Sequence, residues 1–292
     1  MDVVVPFSGT DEQLGGLVAR LSVIRRGPGD TVVIADNRPR ARTHARGDID
    51  ILATGDFRGS YHARNAGARL GSAPWLLFID SDATATPDLL DRLFEQVPSE
   101  RTAVLAGAVV DEPPEPGTGT LAQRYAWLKS SMSQEHTLGH ESAAFAQTAN
   151  CAVRRDAFAA IGGFADQVRS GGDADLCLRL ARAGWELESR PGAAVIHHNR
   201  ATVPRMLAQR ARHGAGAGWL SREHPEALPA RSFPGVLWWG ARRAATGIGR
   251  LARGDRDAAI MALLDGPAVI AFEVGRRLPN RRLLQPLRRH RR

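Results

Sequence analysis

The sequence predicts an α/β chain in which a mostly parallel sheet is flanked by helices and followed by a helical, basic extension. Three features predict it. Short apolar runs alternate with segments of helical period; several of those runs stop at a carboxylate or a polar loop; and the positive charge gathers late in the chain. Apolar runs joined by helices imply strands buried on both faces of a parallel sheet.

The elements follow in order. "VVVPF" opens as a first strand, "DEQLGGLVARLSVI" repeats Leu14, Leu17, Val18 and Leu21 at helical spacing, and "TVVIADN" is a second strand ending at Asp36. "DIDILAT" and "PWLLFID" are further strands, with "GSYHARNAGARLGS" as the helix between them. "TAVLAGAVVD" is a strand before a Pro/Gly-rich loop, and "LAQRYAWLKSSM" a helix. Strand, turn and short helix follow in "AFAQTANCAVRRDAFAAIGGF", stopped by Gly162 and Gly163. "GGDADLCLRLARAGWE" is a helix with Asp173 and Asp175 in or before its first turn, where the helix dipole favours anions. "AAVIHH" is a last strand closed by His197 and His198.

The 292 residues suffice for one large domain or a domain with an appendage. Cys151 and Cys177 lack CxxC spacing, which argues against a disulfide framework or zinc site and favours a reducing, cytoplasmic setting. "MDVVVPFSGT" lacks a basic n-region and reads as a strand rather than a signal peptide. No run of about 18 uncharged apolar residues appears, so an ordinary membrane span is not expected. From Arg231 to Arg292 there are 14 arginines against four acids, whereas the rest of the chain carries 25 basic and 27 acidic groups. The basic character therefore belongs to the tail.

"LLFIDSDATATPDLL" raises a physical question. Asp80 and Asp82 leave one strand on the same side, and like charges there repel unless something positive lies between them. In such sheets ligands bind beyond the carboxyl ends of the strands, where Asp36, Asp80 and the "PFSG" loop all fall. Neither a GxxxxGK[ST] nor a GxGxxG phosphate loop competes with this site.

"VVVPFSG", "VVIADN", "ARNAGARLGSAPWLLFIDSDATATPDLL" and "GGFADQVRSGGDADLCLRLARAGWE", in that order and spacing, resemble the inverting GT-A glycosyltransferases of family 2. The resemblance covers residues 1–200. It implies a nucleotide-binding half at 1–95, an acceptor-binding half at 96–200, and a separate Trp/Arg-rich region at 201–292. Asp80-Ser81-Asp82 matches the family's DxD motif, which implies that Asp80 and Asp82 hold Mg²⁺ or Mn²⁺ against the diphosphate of a nucleotide-sugar donor, a UDP-, GDP- or dTDP-sugar. Pro6, Phe7 and Ser8 match the loop under base and ribose, Asp36 the carboxylate that bonds the base, and Arg64 the basic residue near base and phosphate.

"GGDADL" matches the acceptor motif EDxDL, which makes Asp173 the general base toward an acceptor hydroxyl. Gly172 stands where the family has glutamate. His197 and His198 match a third metal contact, with His198 preferred. The implied activity is metal-dependent inverting sugar transfer; the alternative is a catalytically inactive nucleotide-sugar-binding protein of the same fold. A nucleotidyltransferase would need a glycine-rich basic loop that "PFSGTDEQ" lacks.

Each residue also has a plainer reading. Asp80 and Asp82 could cap a helix near Pro87, Asp36 could close a strand, Arg64 could be a solvated helix residue, Asp173 and Asp175 could both be caps, and the histidines could close a strand. For the tail, tryptophans beside arginines suit either an anionic membrane surface, giving a peripheral location on its cytoplasmic face, or a packed helical subdomain or homodimer contact. No nucleic-acid-binding motif appears.

Overall fold

Six consecutive buried residues form the first strand, β1 (Asp2–Phe7). Val3, Val5 and Phe7 face one side of the sheet with Leu14 and Leu17, while Val4 faces the other with Leu76 and Phe78. Burial on both faces explains the absence of apolar–polar alternation along the strand. In the computed structural model, which describes residues 1–140, 143–225 and 232–281, α1 (Asp11–Leu21) follows directly. It starts with a capping box in which Thr10 and Gln13 satisfy each other's backbone N–H groups. β2 (Thr31–Asp36) runs parallel to β1, with Asp36 opposite Phe7.

β3 (His44–Arg46) and β4 (Ile49–Ala53) complete that side of the sheet. α2 (Ser60–Ala68) covers the Val4 face through Tyr61 and Ala68, and the fully buried β5 (Trp75–Ile79) pairs parallel with β1 on its other side. The parallel core expected from the sequence is thus β4–β2–β1–β5.

Beyond β5 the sheet becomes mixed. β6 (Ala83–Ala85), α3 (Leu89–Leu93), β7 (Thr102–Asp111), α4 (Leu121–Leu128) and α5 (Gln134–Leu138) lead to β8 (Asn150–Arg154). α6 (Arg155–Ala160), α7 (Gly172–Arg182) and β9 (Glu186–His197) follow. β8 inserts antiparallel between β5 and β7, β9 runs parallel to β7, and β6 pairs antiparallel with β9 at the edge. Among the described residues the order is β3-β4-β2-β1-β5-β8-β7-β9-β6. The β6–β9 pairing sets Ala83 opposite His197, and His198 N–H donates to the Asp82 carbonyl at 2.8 Å. The DSD turn is therefore tied to the end of β9.

Three helices complete the described chain: α8 (Val203–Glu223), α9 (Phe233–Ala252) and α10 (Arg256–Gly275). The glycines of "HGAGAG" explain how α8 packs. A Cβ at Gly214 or Gly218 would run into the carbonyls of Phe272 and Arg276, and one at Gly216 would meet Ser170. α8 is thus wedged by backbone contact between α10 on one side and the loop before α7 on the other.

α10 is long and apolar enough, by length and composition alone, to cross a bilayer. Its charged interruptions are satisfied by the protein. Buried Asp265 accepts from Tyr125 Oη at 3.0 Å and Arg243 at 2.6 Å and pairs with Lys129 at 3.2 Å, while Glu273 lies 3.8 Å from Arg276. The packed-subdomain reading of the tail therefore describes α10. The break near Pro229 and the arginine-rich residues 282–292, on which part of that reading fell, lie outside the described residues.

Because α8 and α10 meet through backbone, Gly218→Val should destabilise the fold by about 1–3 kcal/mol, the usual cost of overpacking. Urea denaturation of the variant beside wild type measures it.

Candidate active site

A cleft of about 1010 Å³ opens beyond the carboxyl ends of β1 and β5. Pro6, Phe7, Ser8 and Gly9 line it from the β1–α1 loop, Asp80, Ser81 and Asp82 from the β5 turn, and Ser170 and Asp173 from the start of α7. Of the residues singled out in the sequence, Arg64 and His198 line it as well. Asp36 does not.

The Asp36 side chain is buried and its carboxylate is clamped by Arg38, Nε to Oδ1 at 2.9 Å and the guanidinium to Oδ2 at 2.7 Å. Arg38 also bonds Asp11 at 2.7 Å and lies 5.3 Å from the Phe7 ring centre. Both oxygens of the carboxylate expected to bond a base are thus engaged by Arg38, two residues on, and this guanidinium stands beside Phe7.

The two aspartates of the β5 turn are each held by an arginine. Arg64, buried on α2 and stacked 5.5 Å from the Tyr61 ring centre, pairs with Asp80. Arg200 reaches Asp82 at 3.0 Å, and Arg20 of α1 donates to the Ser81 carbonyl between them at 2.9 Å. The positive charge that the motif demands is thus supplied in part by the protein.

The histidines exchange the roles expected of them. His197 Nε2 lies 3.5 Å from Asp82, whereas His198 turns away, its Nδ1 2.8 Å from Glu112 and its Nε2 2.9 Å from Thr84 Oγ1. The nearer ring to Asp82 is therefore His197 and not the preferred His198, although the β6–β9 register sets His197 opposite Ala83; Asp82 lies in the turn just before β6, outside the strand alternation. Among the described residues no three His, Cys, Asp or Glu side chains cluster closely enough to hold a metal by themselves. Two carboxylates and an imidazole would need phosphate oxygens and water to complete a shell, which suits a hard divalent ion bound together with a diphosphate.

Asp173 is half-buried at the head of α7. Burial raises its pKa, opposed by a backbone N–H from Ala174 and by the Arg64 charge. Tyr61 Oη lies 3.4 Å from its Oδ1. Gly172 has a direct explanation: a Cβ there would lie 2.8 Å from the Tyr61 ring. The ring stands where a glutamate would have to pass. Gly171, at φ +83°, caps the helix in the left-handed region, which glycine adopts without penalty. Asp175 does not cap the helix as the sequence suggested; it is buried and bonds Arg179 at 2.9 Å and His224 at 2.9 Å, tying α7 to the end of α8.

The sequence reading missed much of the positive lining. Arg20, Arg58, Arg169, Arg200 and Arg212 all line the cleft, as does His213. Burial and then the nearby charges of Arg212, Arg210 and Arg200 push the His213 pKa down to about 3, so its ring stays neutral. Burial and the Arg200 charge lower the pKa of Arg212, a guanidinium with no carboxylate partner among the described residues. Six arginines face three aspartates in this cleft, an arrangement built to take up anionic oxygens.

The model of glycosyl transferase family group 2 matches residues 75–254, more than half of the chain. The chain belongs to that family. Its relatives include the pre-mycofactocin glycosyltransferase of Mycobacterium tuberculosis, 29% identical over 262 residues, covering 86% of this chain and 54% of the relative. Glycosyltransferase AglE of Haloferax volcanii is 30% identical over 140 residues, 48% of this chain and 44% of AglE. The succinoglycan biosynthesis protein ExoA of Rhizobium meliloti is 25% identical over 247 residues, 80% and 72% of the two chains. The chain thus spans about half the length of the first of these relatives.

In three dimensions the family fold is that of the mannosyltransferase PcManGT from Pyrobaculum calidifontis, solved with GDP-Man and Mn²⁺. The TM-score is 0.57 at 16% identity, over 92% of this chain and 85% of that one. The fold is GT-A. The family match begins inside β5 and runs through α8 and α9, so it includes the DSD turn, Asp173 and Arg212.

If the Tyr61 ring is what excludes a side chain at 172, Gly172→Glu should cost about 1–3 kcal/mol. Combined with Tyr61→Ala, that penalty should shrink by about 1 kcal/mol or more. A double-mutant cycle by thermal denaturation reads the coupling.

Proposed function

We propose that the protein is a metal-dependent inverting glycosyltransferase that moves a sugar from a nucleotide-sugar donor to an acceptor hydroxyl, with Asp173 as general base. The observation that carries the reading is convergence: the β1 loop, the DSD turn, His197 and Asp173 come from four parts of the chain and meet in one arginine-lined cleft. The family's activity and the fold shared with a GDP-Man- and Mn²⁺-bound enzyme support the same class of donor and ion.

Asp80 and Asp82, with His197 at their side, would hold Mg²⁺ or Mn²⁺, and Arg200, partly exposed, can swing off Asp82 to admit it. A divalent ion bound there supplies neutralisation of the charge that gathers on the leaving diphosphate. The chain's own residues do the rest. Pro6, Phe7 and Ser8 receive base and ribose, with the Asp36–Arg38 pair beside Phe7. Arg20, Arg169 and Arg212 bring cations to the phosphates. The Asp173 carboxylate takes the proton from the acceptor hydroxyl as that oxygen bonds the anomeric carbon. The bond from the anomeric carbon to phosphate breaks on the opposite side, and its electron pair leaves with the nucleoside diphosphate. One displacement inverts the configuration.

The inactive-binder alternative drew on the missing glutamate at Gly172. The Tyr61 ring accounts for that glycine sterically, while Asp173 keeps its place in the cleft. A cytoplasmic setting is part of the proposal; the two buried, unpaired cysteines fit a reducing environment.

Two experiments test the reading. Calorimetric titration with UDP, GDP and dTDP, with and without Mn²⁺, should find metal-dependent binding of one nucleotide, lost in Asp82→Ala. If none of the three binds under either condition, the donor site is not the one described.

For the base, Asp173→Asn should bind donor normally and lose transfer by a factor of about 100 or more. Because burial raises the Asp173 pKa, the active carboxylate is lost as pH falls through that raised value. The acid limb of kcat/KM should therefore lie above the ordinary carboxylate range near 4 and vanish with Asp173→Asn. A residual rate with an unchanged limb would remove Asp173 from the role.

A further inference from the structure

The helical hairpin of α9 and α10 has an inner and an outer side. Inside, Arg243 bonds the buried Asp265 at 2.6 Å, and a Cβ on Gly266 would lie 3.1 Å from the Gly240 backbone, so α9 is held in one rotation about its axis. That rotation leaves apolar residues outside. Leu237, Ala241, Ala245, Ile248 and Ala252 recur at spacings of four, four, three and four, one continuous stripe on a helix. All five are exposed, Ile248 to 64%, and Trp238 beside the stripe is exposed to 63%. A stripe of this period ordinarily faces a core. Here it faces away from the protein.

We propose that this outer face of α9 docks on an anionic lipid surface. The charge pattern chooses the occupant. α9 and its caps carry arginines and no acid, and Arg242 stacks 4.7 Å from the Trp238 ring centre. Arg253, at the end of the helix, has no carboxylate partner among the described residues. An aromatic ring with a guanidinium at its edge suits the level where headgroups meet acyl chains, and cations flanking an apolar stripe suit phosphate headgroups.

A second copy is the poorer partner. Two α9 helices laid face to face would oppose arginines with no acid on either to answer them. Residues 282–292 are no better matched to the stripe, with five arginines and no acid.

Full-length protein sedimented with vesicles of phosphatidylglycerol and phosphatidylcholine tests this, with vesicles of phosphatidylcholine alone as the comparison. The protein should pellet with the anionic vesicles only, and less at high salt. The double variant Trp238→Ser/Ile248→Ser should partition at least about tenfold more weakly, as should Arg242→Glu/Arg253→Glu. Both pairs are surface changes remote from the cleft, so nucleotide binding reports that each variant is folded.

Three outcomes would overturn the proposal. The wild type could stay in the supernatant with both vesicle types. The stripe variant could pellet as wild type does, which would assign binding to another surface such as residues 282–292. Or the wild type could sediment as a dimer that the stripe variant dissolves without either touching vesicles, which would make a second copy the occupant.

Discussion

The cleft depends on two like charges held one residue apart where β5 leaves the sheet. Left alone, carboxylates at such spacing repel by a few kcal/mol at the effective dielectric of a protein surface. The fold answers with cations from three directions: Arg64 from α2 on Asp80, Arg200 from beyond β9 on Asp82, and Arg20 from α1 on the carbonyl between them. The turn is consequently the joint at which the parallel half of the sheet, the β6–β9 edge and α1 are fastened together. A site that must release one of those contacts to admit a ligand also couples ligand binding to the fit of those elements.

The second constraint is backbone proximity. α8 brings Gln209, Arg212 and His213 to the cleft, and its position is fixed by glycines that allow α10 and the loop before α7 to touch its backbone. Asp175, on the far side of α7 from Asp173, bonds His224 at the end of the same helix. The start of α7 and the second half of α8 are therefore clamped together. The region read as an appendage from composition alone supplies part of the site's wall.

What the sequence made legible was local. Asp80 and Asp82 stood out where a fully apolar strand ends in two acids, and they and Asp173 took their expected roles from the resemblance of DSD and GGDADL to the family's motifs. What escaped were consequences of pairing. Arg38 closes on Asp36 two residues away, where β2 ends in a buried position. His197 rather than His198 lies nearer Asp82 because that aspartate sits in the turn before β6, whose three-residue pairing with β9 has no local signal. The arginines of the cleft come from α1, α2, α8 and the loops between, and in a chain with one lysine and 38 arginines, no single arginine stands out. The α9 stripe is the converse case: helical periodicity was legible, yet only the packing of α10 reveals that the stripe points away from the protein.

The exchange of glutamate for Gly172 and a packed Tyr61 ring has a chemical consequence. A glutamate beside Asp173 would set a second negative charge next to the proposed base and raise its pKa further. Here that charge is replaced by an aromatic ring that touches Arg64 on one side and approaches Asp173 on the other. The basicity of Asp173 is then governed chiefly by burial, and the opposing charge nearest to it is that of Arg64, already engaged with Asp80.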